Sequence, residues 1–251
     1  MENKIIMVID IPFNVPENPF WPGFKDVYND SKKLSQTKEW IEYRIEIFNK
    51  YTLRSLKNQT NQNFKCIMRY TRETEELVFN ALSKYDKLPD NVIFTPDGDE
   101  TIYSLIQGYD YMYHIRIDSD NMFSKDYIDI LYKTPYYEEL ECILCQKGYM
   151  YEIEGDRLAS MEHGSPSFYA LVYTVDDFYF GFRHNTEPDH WGAASLTHEA
   201  IDTHCYLVVV HEKNVSNSFN MVLDYTHIKT VEVFGEEKEK VIRDKVAEKN
   251  L

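Results

Sequence analysis

The sequence predicts a single α/β domain on a mainly parallel sheet, and three observations predict it. Short continuous apolar runs at Lys4 to Asp10, Asn63 to Arg69, Asn91 to Phe94 and Tyr111 to Ile117 are what strands covered on both faces require. Stretches with apolar residues at three- and four-residue steps stand between these runs, which is the period of helices packed on a sheet. At 251 residues the chain can bury a substantial core as one unit.

Strand one, Lys4 to Asp10, is followed by Ile11 to Gly23, where Pro12, Pro16, Pro19 and Pro22 forbid regular structure. A loop just beyond the carboxyl end of a strand is where open α/β sheets keep their ligands. From Leu34 the spacing of Trp40, Ile41, Tyr43, Arg44, Ile47, Phe48, Tyr51 and Leu53 predicts a helix, and Asn63 to Arg69 a second strand. Thr71 to Lys84 follows as a helix, with Thr71 or Thr74 as N-cap and Glu73, Glu75 and Glu76 near its positive end. Asn91 to Phe94 is strand three, and Pro96 to Glu100, with Asp97 and Asp99 in turn and capping roles, opens a helix from Thr101 to Gly108.

Tyr111 to Asn121 reads Tyr-Met-Tyr-His-Ile-Arg-Ile-Asp-Ser-Asp-Asn, a strand that stops at two carboxylates separated by one small residue. Residues i and i+2 point the same way at strand spacing, so Asp118 and Asp120 could hold one Mg²⁺ or Mn²⁺ and leave positions open for phosphate oxygens. Arg116 lies two residues before the pair, where it could orient Asp118 or meet a phosphate.

Beyond this point βα alternation gives way. Ser124 is expected to cap a helix from Lys125 to Tyr132. Glu141 to Gln146 and Met150 to Ile153 read as strands around a Lys147-Gly148 turn, with another strand at Ser167 to Thr174. Phe178 to Ser195 fits neither period and concentrates aromatics, acids and histidines, a combination suited to sugar rings and their hydroxyl rims. Within it Asp189 and then Glu187 are the candidate general bases, with Glu199 third. Thr203 to His211 is a late apolar strand, and Glu236 to Lys249 a charged helix packed by a thin stripe of Val241, Ile242 and Val246.

The net charge of −15, from 27 basic and 42 acidic residues, argues against a nucleic-acid surface and requires any phosphate to be met locally. Four cysteines, Cys66, Cys142, Cys145 and Cys205, are too few and scattered for a disulfide framework, so reduced core thiols are expected, with Cys142 and Cys145 packing rather than holding zinc. No stretch approaches the roughly 18 to 20 apolar residues of a membrane span, and the start lacks a signal-peptide pattern, so a cytosolic protein is expected.

The segment Arg116 to Asn121, with Phe123 to Leu131 after it, resembles the Asp-x-Asp segment and following helix of GT-A glycosyltransferases, and more closely a rhamnosyltransferase family. The resemblance is also close over Trp40 to Arg69, through Arg44 to Phe48, Thr52 to Leu56, Gln59-Thr60 and Asn63-Phe64, and again over His211 to Ser216. Asn121 departs from it, standing where many relatives carry another acid.

The resemblance implies a GT-A-like fold over 1–251. A nucleotide-sugar-binding half, 1–131, would have helices on both sheet faces; a mixed acceptor-side half, 132–235, and a C-terminal helix, 236–251, would follow. It implies transfer of a sugar from a nucleotide-diphosphate sugar to a saccharide acceptor, possible in surface polysaccharide synthesis, with Mn²⁺ or Mg²⁺ on Asp118, Asp120 and His211. Ile11, Pro12 and Phe13 would receive the base, while Arg44, Arg72 and Arg116 would add phosphate charge. Two rivals use the same residues: a metal-dependent phosphohydrolase recruiting His190, His198 or His204 for a second metal, and a catalytically idle nucleotide- or glycan-binding protein.

Overall fold

The computed structural model describes residues 3–15, 34–187, 189–214, 219, 228–232 and 243–251, with backbone alone at 189 and 228–232. Twelve strands among these residues form two sheets. In the first, β1 (Ile5–Pro12), β2 (Lys65–Arg69), β3 (Val92–Thr95) and β4 (Tyr111–Arg116) are parallel in the order β4-β1-β2-β3. Beyond β4, β9 (Tyr169–Thr174) is antiparallel, and β6 (Cys142–Leu144) and β10 (His198–Ala200) complete seven strands. The mainly parallel sheet expected from the four apolar runs is therefore present.

The apolar runs are continuous because both sheet faces are covered. Met7, Ile9 and Ile11 of β1 pack with Ile41, Ile45 and Phe48 of α1 (Lys38–Lys50) and with α2 (Thr52–Lys57), α3 (Glu75–Leu82) and α5 (Tyr127–Lys133). Ile6 and Val8, alternating to the opposite face, meet Ile102 of α4 (Gly98–Leu105) and Phe178 of α6 (Val175–Tyr179). Thr37 starts α1 as expected of an N-cap, its hydroxyl accepting from the Trp40 N–H. Ser124 does not cap α5 with its side chain; the cap position is Asp126, to whose carboxylate the Ser124 hydroxyl donates.

The second sheet joins two expected strands, at Met150 to Ile153 and Thr203 to His211, to three that the periodicity does not show. It runs β12 (Ile228–Glu232), β8 (Arg157–His163), β7 (Lys147–Glu152), β11 (His204–Val210), β5 (Met122–Phe123). The expected Lys147-Gly148 hairpin is corrected: both residues lie inside β7, and β6 and β7 belong to different sheets. The reason is packing rather than turn chemistry. A Cβ at Gly148 would collide with the buried Tyr206 ring, which is stacked on Phe168 at 3.9 Å, so the glycine serves close approach inside the sheet. Gly148→Ala should therefore lower stability by about 2 kcal/mol, read as a lower urea midpoint at unchanged m-value.

The cysteine expectation is also corrected in part. Cys145 is paired with Cys205, with Cα atoms 6.4 Å apart, because the crossing between sheets sets the end of β6 beside the start of β11. Cys66 and Cys142 are free and buried, so Cys142-x-x-Cys145 is no metal pair. The aperiodic 178–195 stretch contains the end of α6 and a 3-10 turn at Asp189–Ser195. Of the expected tail, residues 243–248 are helical, and Val241 and Ile242 lie outside the described residues. No helix among the described residues is long and apolar enough to cross a membrane.

Candidate active site

The junction between the two sheets holds the paired acids. The chain leaves the first sheet at Arg116, turns through 117–121, and enters the second at Met122. Asn121 pins this turn: its Oδ1 accepts from the Val209 N–H of β11 at 2.9 Å, and its amide donates to Asp118 at 3.4 Å. Because β11 runs antiparallel to β5, its end at Val210 brings His211 back beside Asp120.

Asp120 is the centre of the cluster. Arg44, from α1, donates to Asp120 Oδ2 at 2.8 Å and to the Ser119 hydroxyl at 2.5 Å. His211 Nε2 lies 3.2 Å from the same Oδ2, and the Asn214 amide donates to it at 3.4 Å. Burial opposes ionisation of Asp120, but the charge of Arg44 and the hydrogen bonds from His211 and Arg44 outweigh it and hold the carboxyl down to about 2. Asp120 is therefore a buried anion at neutral pH, while Asp118 is half-buried at the mouth of the turn.

The donor set bears on a metal. Among the described residues the side chains that reach Asp120, those of Arg44, His211 and Asn214, all meet Oδ2, which leaves Oδ1 toward a cation, and Asp118 stands two residues away on the same turn. That fits a Mg²⁺ or Mn²⁺ held by one or two carboxylates, which keeps most of its positions for water and phosphate. Among the described residues no three His, Cys, Asp or Glu side chains converge as a metal cage. His211 in particular faces Asp120 and Arg44 through Nε2, and its Nδ1 lies 3.1 Å from the Tyr43 hydroxyl. Both of its ring nitrogens thus already meet protein groups.

The other expected residues are distributed along the same sheet edge. Ile11 and Phe13 turn their side chains into the core, Phe13 against Trp40 at 5.7 Å and Phe94 at 5.9 Å, so they offer a nucleotide base only backbone; Pro12 ends β1 between them. Arg72, with 64% of its side chain exposed, pairs with Asp97 near β3 and does not join Asp120. Arg116 is buried and donates to the Tyr169 hydroxyl at 3.5 Å. Glu187 is exposed, and the Asp189 side chain lies outside the described residues. Glu199 is exposed on β10 and receives a hydrogen bond from Tyr137.

The histidines invoked for a second metal are separated. His190 Nδ1 donates to the Ser165 carbonyl at 2.6 Å, His198 Nδ1 donates to the Leu196 carbonyl at 2.8 Å, and His204, stacked on Tyr149, lies 2.9 Å from the Ser160 hydroxyl. His204 also begins the strand that His211 follows, so the two stand at opposite ends of β11.

A second ionic cluster was missed. Asp10 accepts from Arg69 Nε at 2.6 Å and Nη2 at 3.0 Å, His114 Nε2 lies 3.0 Å from its Oδ2, and Arg69 also donates to Asp99 at 2.6 Å. Burial opposes ionisation of Asp10, and the His114 hydrogen bond and Arg69 charge overcome it and lower its pKa. The signal was an acid in Val-Ile-Asp-Ile and a base in Ile-Met-Arg-Tyr, each embedded in an apolar run and hence in need of a partner.

Residues 20–78 match the family described as "Putative rhamnosyl transferase", a segment that contains Arg44 and Arg69. Similar solved structures include S. aureus TarS 1-349, at 13% identity over 82% of this chain and 60% of that chain, TM-score 0.41. A second S. aureus TarS structure is 13% identical over 82% of this chain and 37% of that chain, TM-score 0.39. A cytidylyltransferase from Leptospira borgpetersenii serovar Hardjo-bovis (strain JB197) is 11% identical over 98% of this chain and 96% of that chain, TM-score 0.35. The chain thus spans less than two thirds of the TarS chains it matches. No curated protein matches it.

Proposed function

We propose that this chain is a glycosyltransferase that moves a sugar from a nucleotide-diphosphate sugar to a hydroxyl of a saccharide acceptor. The observation that supports this most is the convergence of Asp118 and Asp120, at the end of the central strand, with Arg44 and His211 from two other elements. The segment that supplies Arg44 is also the one that matches the rhamnosyl transferase family model.

In this reading Asp118 and Asp120 would hold Mn²⁺ or Mg²⁺. The ion, when bound, neutralises the charge that develops on the departing diphosphate. Arg44 keeps Asp120 ionised and adds a fixed positive charge beside the same position, and His211 holds the carboxylate in register. The bond between the anomeric carbon and the diphosphate oxygen breaks with its electron pair leaving on the diphosphate. The acceptor oxygen forms the new bond at that carbon, and Asp189 or Glu187 takes its proton. Ile11, Pro12 and Phe13 would receive the base through their backbone groups.

The test is a thermal-shift panel of UDP-, dTDP- and GDP-sugars with and without Mn²⁺. One nucleotide class should stabilise the protein in the presence of metal, by about 2.7 kcal/mol at a hundred times its Kd. No shift with any donor would overturn the reading. Binding without sugar transfer would favour the idle binder, and metal-dependent phosphate release without an acceptor would favour the hydrolase.

A further inference from the structure

We infer that Trp191, flanked by His163 and His190, is the platform on which the acceptor saccharide lies. This rests on the transferase reading above and assigns its second substrate to named residues.

The sheet topology places these rings. Tyr169 begins β9 directly opposite Arg116 in the register, and Leu144 ends β6 opposite Tyr169, so both strands meet the edge where β4 delivers the acids. The Tyr169 hydroxyl accepts from Arg116 and is hydrogen-bonded to Thr186, which ties Thr186 to the central strand. The Gly192 N–H donates to the Thr186 carbonyl at 2.9 Å. A Cβ at Gly192 would lie 2.5 Å from the Glu187 carbonyl oxygen, so glycine is what permits this close approach.

Trp191 thus sits next to a residue held against Thr186 and Glu187. Ser165 anchors it further, donating to the His190 carbonyl at 2.7 Å and accepting from the Ala194 N–H at 3.2 Å. The indole packs against the His163 ring at 4.7 Å and the His190 ring at 4.9 Å, yet the residue remains 39% exposed. His163 reaches this position from the second sheet, and its N–H bonds to the Gln146 carbonyl just beyond β6.

A partly exposed indole packed with two other rings suits a ligand with a flat, weakly apolar surface and a polar rim. The C–H face of a pyranose with its equatorial hydroxyls has that form. The platform is tied to the β9 and β6 side of β4, where Tyr169 stands opposite Arg116 and Leu144 opposite Tyr169.

The experiment is saturation-transfer difference NMR on the full chain with the methyl glycosides of rhamnose, glucose, galactose and N-acetylglucosamine, beside the donor thermal shift. At least one glycoside should show transfer to its ring C–H protons. Trp191→Ala should weaken that binding about tenfold, an aromatic contact of roughly 1.4 kcal/mol, while Trp191→Phe keeps it and both variants keep the donor shift. Transfer unchanged in Trp191→Ala, or absent with every glycoside, would overturn the platform. Loss of the donor shift in Trp191→Ala would overturn it too, by assigning the indole to the nucleotide. Glycoside binding that depends on Trp191 without any donor shift would keep the platform and sink the transferase reading instead.

Discussion

Asp120→Ala should abolish metal-dependent stabilisation by donor and lower sugar transfer at least a hundredfold, and it should also destabilise the fold by about 3 kcal/mol. The two losses have one origin. Asp120 is the acid that Arg44 pairs with among the described residues, and removing it leaves a guanidinium, 13% exposed, beside the Ser119 hydroxyl and His211 with no anion to offset its charge there. Asp118→Ala separates the effects. Asp118 is half-buried where Asp120 is buried, so its loss should remove the donor shift at a smaller cost in stability than the loss of Asp120. Urea unfolding of both variants, run with the donor panel, checks this. An Asp118 variant that keeps its donor shift would remove the paired-carboxylate site from the mechanism.

Asp10→Asn should lower stability by about 3 kcal/mol near neutral pH without touching the Asp118 and Asp120 turn. Asn preserves the shape but removes the buried charge that faces Arg69, whose pairing with Asp99 is to a side chain 47% exposed. The pH dependence follows from the sign of the shift. Asp10 has a lowered pKa in the folded protein, so its contribution is fully present above the unfolded value of about 3.9 and is lost as pH falls through the lower folded value. The gap between wild type and Asp10→Asn should therefore be constant from pH 5 to 7 and narrow below roughly pH 4. Unfolding free energies measured across that range test it. A gap that grows on acidification would mean that Asp10 is not the ionised partner of Arg69.

How much of this was legible in the sequence differs from element to element. The four parallel strands were, because burial on both faces demands unbroken apolar runs such as Ile-Ile-Met-Val-Ile in β1. The position of Asp118 and Asp120 at the exit of β4 was legible for the same reason, since acids do not continue a buried strand. Of the second sheet, β11 and the second half of β7 were legible, and their pairing was not. Strands β7 and β8 mix charged and apolar residues, as in Lys-Gly-Tyr-Met-Tyr-Glu, and Gly148 reads locally as a turn residue until the Tyr206 ring is placed against it.

The sequence by itself determined the α/β class, the central strand and the acids that end it, because strand and helix periods are local properties of neighbouring residues. Tertiary structure alone decided which groups serve those acids. Arg44 lies 76 residues before Asp120 and His211 lies 91 after it, and both reach Oδ2 because the order of strands and the antiparallel β5–β11 pairing bring them there. Local periodicity carries no information about such pairings. They are selected by the cost of leaving a buried charge without a partner, and only the assembled sheets show which partner is within reach.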